Sequence, residues 1–425
     1  MPHPTRREFI AGAAGLALKP PWSWGEGAVP ANARDAAARL GGTTGLPRPT
    51  RVHDVLVRGG TLVDPARGWS GPGDVGITGG VVVEVRESIA ESEGRRVIDA
   101  TGMIVTPGLI DVHAHVYPGV PTLGIDADLV GIARGVTTIV DAGSTGATSF
   151  SAFRDHVARP ARTRVYALIN MSRVGMTAPN ELARLDYVDV DAVVRTIEAN
   201  RDVAIGIKVR MLAGTENDDD LEVMRRTREA ADRAGVPITL HIGGQTSPLP
   251  RIVASLRPGD ILTHAFRRSG SILDANGRVY PEVLEAIERG VFIDIGHGMG
   301  NFDFDVAERI LDQGVLPRVI SSDVHDGNVT GPVFDLPTTL SKLMALGLEL
   351  EQVVAAATST PAEIFDFGTP VGSLAEGAPA DLSVFQWVEG EHTFVDSTGN
   401  RRTGPGRLVP YVTLRDGAPY GVSRG

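Results

Sequence analysis

Short apolar runs punctuated by glycine open the patterned part of the chain. DVLVRGGTLVD, GDVGITGGVVVEVRE and RRVIDATGMIVTPG place β-branched residues between Gly-Gly or Gly-Pro breaks, the pattern of hairpin-forming strands. GSLAEGAPADLSVFQW and RLVPYVTLRDGAPYG, near the other end, have the same character. The two ends are therefore expected to pair into one small β-sandwich domain, residues 53–107 plus 368–425. Between them lie eight strand-like runs: LIDVHAHV, TTIVDAG, RVYALINM, AIGIKVRM, PITLHIGG, DILTHAF, VFIDIGHG and RVISSDVH. Intervening stretches such as LEVMRRTREAADRAG and FDVAERILDQG have helical spacing and end on Gly, a frequent helix stop. Strand–helix alternation of this length implies a parallel sheet, and eight repeats close most simply into a (β/α)8 barrel over residues 108–367. The fold class is α/β. LPTTLSKLMALGLELEQVVAAATSTPAEIF, beyond the eighth run, reads as two or three further helices.

The N-terminal part has a different texture. Arg6-Arg7 precedes the small apolar run AGAAGLAL and Lys19, which resembles a twin-arginine export signal. The run is too short for a membrane span, which takes roughly 18 residues or more. Residues 1–33 are expected to be the signal, with Ala31-Asn32-Ala33 as the cleavage site, and 34–52 a linker. The expectations that follow are contact with the twin-arginine export machinery, no stable membrane anchor, and a periplasmic or extracellular place. The net charge of -11 argues against nucleic acid, because binding phosphates needs a basic face. With no cysteine in the chain, any metal must sit on His, Asp, Glu or Lys. A homo-oligomer is compatible with the sequence.

The candidate chemistry lies at the strand ends. Of ten histidines, six (His113, His115, His241, His264, His297 and His325) fall at or just past the C-terminal end of a strand-like run. In a (β/α)8 barrel those ends converge on the active-site face. His113 and His115 are two apart, so the pleat turns both toward the barrel axis, where they can share one metal. His241 and His264 are imidazoles for a second metal. Lys208, flanked by Ile and Val, faces a low-dielectric interior that lowers its pKa. It either forms a buried salt bridge or, as the surrounding histidines favour, adds carbon dioxide to give a carbamate that bridges two metals. Asp323 in SSDVH supplies a carboxylate suited to metal binding and to general acid/base work. His297 and Arg210 are candidates for the substrate carbonyl and a substrate carboxylate, respectively. His325 reads as a support for Asp323, and Asp218-Asp219-Asp220 as the cap of a helix beginning at Leu221.

With these residues placed, the chain resembles the amidohydrolase superfamily, and within it the bacterial deacetylase or dihydroorotase-like group. The resemblance spans about residues 53–420 and rests on TPGLIDVHAHVYPG, GIKVR, DILTHAF, FIDIGHGMGNFDF, SSDVHDGNVTGPVFDLPTTLSKLMALG and GSLAEGAPADLSVF. It implies His113 and His115 on one divalent metal, His241 and His264 on a second, Lys208 carboxylated between them, and Asp323 as both ligand and acid/base. Zinc is the default for such a His-rich set, although manganese or cobalt suits similar ligands. The implied reaction is hydrolysis of an amide or ester acyl bond in a small acylated metabolite, by attack of a metal-bridging hydroxide. A cyclic-amide hydrolase and a non-catalytic binding protein on the same scaffold are the alternatives. At LTHAFRRSG the chain departs from relatives, which often carry Cys and Asn there. Ala265 and Arg267-Arg268 stand in their place, which bears on substrate preference and not on the metal ligands.

Overall fold

The computed structural model describes residues 52–120, 123–177, 181–211 and 219–421. The expected signal, the linker before residue 52 and Asp218 lie outside these residues. Glycine breaks cut the first segment into β1 (His53–Asp64), β2 (Trp69–Thr78), β3 (Val81–Arg86), β4 (Gly94–Asp99) and β5 (Ile104–Pro107). The eight barrel runs begin with β6 (Leu109–Ala114), β7 (Val136–Gly146), β8 (Arg164–Asn170) and β9 (Ala204–Arg210). They continue with β10 (Ile238–His241), β11 (Ile261–Thr263) and β12 (Phe292–Ile293), and the chain ends in β13 (Leu382–Val395), β14 (Arg401–Arg415) and β15 (Ala418–Gly421).

The chain ends pair as expected. β13 lies antiparallel to β5, with Leu382 opposite Pro107 and Phe385 opposite Ile104, giving the order β15-β14-β13-β5-β1-β2-β3 with β4 also on β1. Val55, Val57, Leu62, Val75, Ile77, Val105, Leu382, Val384 and Leu414 form its separate apolar core. Burying each such side chain contributes roughly 1.5–3 kcal/mol.

β6 to β12 form a parallel sheet in sequence order. β6, β7 and β10 are buried along their whole length, as a parallel sheet covered by helices requires. The eighth run closes the circle without forming a long ladder. Val319 bridges Asp294, Val324 bridges Ala114, and Asp323 N donates to His113 O at 2.6 Å. Helix Asp220–Ala234 shows how the outer layer is specified. Asp219 caps it by accepting from Glu222 N, Gly235 ends it in the left-handed region, and Val223, Met224, Thr227, Ala230, Ala231 and Ala234 make its buried stripe. Helices Leu336–Ala345, Leu350–Ala356 and Ser359–Ile364 follow the eighth run. Among the described residues no helix is long and apolar enough to cross a membrane.

Candidate active site

The strand ends bring the six expected ligands together in the interior. His113, His115, Lys208, His241, His264 and Asp323 are all buried. Ligand atoms of His113, His264 and Asp323 lie within 4.8 Å of one another. Asp323 Oδ1 is 3.2 Å from His115 Nε2 and 3.6 Å from His113 Nε2. Lys208 Nζ is 2.9 Å from His113 Nε2. The rings of His241 and His264 lie 3.9 Å apart, and those of His113 and His264 4.9 Å apart.

The hydrogen bonds fix which nitrogens face the centre. His264 Nδ1 meets the Gly296 carbonyl at 2.7 Å. A carbonyl only accepts, so the proton sits on Nδ1 and the Nε2 lone pair is left. Thr263 Oγ1 lies 2.5 Å from Asp294 Oδ2 and 3.2 Å from His113 Nδ1. The hydroxyl donates to the carboxylate and accepts from His113, which again leaves Nε2 as a lone pair. His115 Nδ1 pairs with Ser144 Oγ at 2.9 Å. His241 Nε2 and His264 Nε2 are buried with no hydrogen-bond partner. Buried polar atoms without a partner are costly, and an imidazole oriented through its other nitrogen, as His264 is by Gly296 O, is what a metal centre requires. The residues present therefore fit divalent metal.

The backbone is strained at the same place. His264 (φ 66°) and Asp323 (φ 50°) are two of the four non-glycine residues with positive φ among the described residues. Such conformations cost about 1–3 kcal/mol each and persist where surrounding structure dictates them. Asn328 does this for Asp323: its side chain donates to Asp323 O at 2.8 Å and accepts from His325 N at 2.9 Å.

Residues 104–401 match the model of the amidohydrolase family. The chain belongs to the amidohydrolase family. It is 33% identical to a deacetylase of Enterococcus faecalis over 374 residues, covering 87% of this chain and 99% of that protein. A solved structure of an adenine deaminase is 32% identical with a TM-score of 0.82, covering 87% of this chain and all of that one. A dihydroorotase structure follows at 29% identity and a TM-score of 0.78, covering 87% and 98%. The chain is thus a hydrolase of amidohydrolase type, with a metal-binding site.

Electrostatics of this amidohydrolase site follow from burial. Burial, aided by the Lys208 charge, pulls His113 down to about 4, and holds His241 and His264 well below the usual imidazole range. Burial also lowers Lys208 to about 7, with Asp323 and Asp294 opposing. Burial works against the Asp323 charge, but His113 and His115 more than offset it and keep the carboxyl well below its usual range. His113, His241 and His264 therefore favour the neutral, lone-pair-bearing form, beside a carboxylate held in its ionised form.

The remaining sequence candidates are placed as follows. Arg210 lies two residues past Lys208 and donates from Nε to Glu181 Oε1 at 2.5 Å. His297 donates from Nδ1 to Gly298 O at 3.0 Å, so its Nε2 accepts from Lys342 Nζ at 2.7 Å. Both ring nitrogens thus already have partners. His325 approaches His115 with ring centroids 6.4 Å apart, while its Nδ1 accepts from Gly327 N at 3.0 Å. Asp219 caps the helix, and Asp220 instead accepts from Ser247 N at 2.7 Å.

Several supporting residues went unrecognised in the sequence. Asp111 accepts from the Ser322 hydroxyl and from Ser322 N at 3.1 Å, tying the first strand to the eighth. Burial lifts it to about 7. Asp141 accepts from Val116 N at 2.8 Å and Ser144 N at 2.7 Å, and Asp294 holds Thr263 and Ser321. A signal existed for all three, since each is a lone carboxylate inside an apolar strand run.

Proposed function

We propose that this amidohydrolase cleaves an amide or ester acyl bond, in the manner of a deacetylase, in a small acylated metabolite such as an N-acetylated amino acid or an O-acetylated hydroxy acid. The observation that carries the reading is Asp323, an anion kept beside the Nε2 atoms of both His113 and His115 on a strained backbone. His113 and His115 would hold one divalent metal and His241 and His264 a second, zinc by default, with Lys208 as a carbamate between them. Bound metals supply Lewis acidity toward the acyl carbonyl and acidify a water. Asp323 takes the proton as that water's oxygen bonds to the acyl carbon. It returns the proton to the nitrogen or oxygen of the leaving group as the C–N or C–O bond breaks, giving a carboxylic acid and an amine or alcohol. Arg210, at the end of the Lys208 strand, is suited to grip a substrate carboxylate. His297 would contact the substrate only by exchanging Lys342 for it.

The likeness to a deacetylase along nearly its whole length supports acyl hydrolysis. The likeness to a dihydroorotase structure favours a second reading, hydrolysis of a cyclic amide with the same residues. A panel of N-acetyl amino acids, O-acetyl hydroxy acids, cyclic imides and adenine separates them. Turnover confined to rings or to adenine would overturn the deacetylase reading, and ligand binding without any turnover would revive a binding protein. Asp323→Asn should lower kcat by about 10²–10⁴-fold while the fold persists. Near-normal turnover in that variant would remove Asp323 from the acid/base role. The reading includes export through the twin-arginine machinery to the periplasm or beyond, which intact mass of the mature protein and cell fractionation test.

A further inference from the structure

The two carboxylate oxygens of Asp323 have different surroundings. Oδ1 faces the imidazoles, whereas Oδ2 lies 3.4 Å from Asn301 Nδ2 in the loop after the seventh strand. That loop comes so close that a Cβ on Gly298 would stand 2.3 Å from Asp323 Oδ2 and 2.8 Å from Asn301 Nδ2. A carboxylate that must take and return a proton needs its rotation fixed, and one amide donor on the outer oxygen does that.

The loop is itself fastened from outside the barrel. β13 and β14 run past the sheet of the β-domain, and their connecting turn, Asp396–Asn400, reaches the loop. Ser397 N donates to Phe302 O at 3.0 Å, and Ser397 Oγ accepts from Phe302 N at 3.2 Å. The same hydroxyl lies 3.1 Å from Gly298 O and 3.3 Å from His297 O, so its proton closes the clasp at the other end of the loop. Asp396 Oδ2 accepts from Phe304 N at 2.8 Å, and Thr398 Oγ1 donates to Asp303 Oδ2 at 2.9 Å. One serine thus grips both ends of the segment that carries Asn301.

We propose that this hairpin turn, supplied by the C-terminal part of the β-domain, is a working part of the active site: Ser397 holds the Gly298–Phe302 loop so that Asn301 orients Asp323. Asn301 and Ser397 are positioning residues that act through Asp323. The inference rests on Asp323 being the acid/base of the proposed reaction.

The test compares kcat, KM, metal content and thermal stability of the full-length enzyme for Asn301→Ala, Ser397→Ala and the double variant. Each single change should lower kcat about 10-fold or more, as small misplacements of reacting groups do, with KM within about 2-fold and metal content unchanged. Because both remove the same restraint, the double variant should be within about 2-fold of Asn301→Ala alone. Losses that multiply would show that Ser397 does not act through Asn301, and single variants within about 2-fold of wild type in kcat would overturn the inference outright. Should Ser397→Ala fail to fold, Asn301→Leu, similar in size but without a donor, decides by the same kcat criterion. Asp323→Asn in parallel separates the two claims. If it is inactive while the positioning variants are normal, only this inference falls; if it turns over normally, the reading beneath it falls.

Discussion

Replacing Gly298 with alanine should damage activity far more than stability. At φ 52° the glycine occupies the left-handed region, where an L-residue costs about 1–2 kcal/mol. The new Cβ would also stand 2.3 Å from Asp323 Oδ2. Restoring an ordinary contact requires the carboxylate or the loop to retreat by about 1 Å, and a misplacement of that size costs on the order of 10²-fold in rate. Gly235, the helix-ending glycine at φ 66°, supplies the control, because a Cβ there meets nothing within 4 Å. Gly235→Ala should share the backbone cost of about 1–2 kcal/mol and keep full activity. Steady-state kinetics on metal-replete protein, with the best acylated substrate from the panel, give kcat, and denaturant unfolding gives the stability change. If the two variants show kcat within about 2-fold of each other, the crowding of Asp323 by this loop does not matter to catalysis.

Two further outcomes follow from other parts of the site. Thr263→Val removes the hydroxyl that orients His113 from Asp294, so metal affinity or activity should fall about 10–100-fold, as measured by competition with a chelator; unchanged affinity would discount that orientation. Lys342 is lowered by burial to about 7, so between about pH 7 and 10 the unfolded chain binds a proton at this site that the folded chain does not. Stability in that window should therefore rise with pH, and Lys342→Met should flatten the slope by up to about 1.4 kcal/mol per pH unit in denaturant titrations. An unaltered slope would mean that the folded lysine keeps its ordinary pKa.

The strands and the cluster of polar side chains at their ends were legible because both are local. An apolar run bounded by glycine reads as a buried strand wherever it falls, and a polar residue at its C-terminal end is expected at the barrel mouth. His113, His115, Lys208, His241, His264 and Asp323 needed nothing more. Asp111, Asp141 and Asp294 were overlooked although they sit in the same runs, because their partners are set by register between strands; Ser322 is far from Asp111 in sequence. His297 shows the limit of strand-end reasoning. It stands where a mouth residue should, yet a lysine on the helix after the barrel occupies its Nε2. Nor does any local pattern announce that a turn near the C-terminus, Asp396–Asn400, will rest on the loop beside Asp323. Such contacts are properties of assembled topology.

Elemental analysis of protein purified without chelator and supplied with bicarbonate tests the proposed two-metal centre on Lys208 most directly. About two equivalents of divalent metal per chain are expected, zinc foremost, falling to about one or fewer in Lys208→Ala, since a bridging ligand would serve both ions. A single equivalent in wild type, unaffected by removing Lys208, would contradict it.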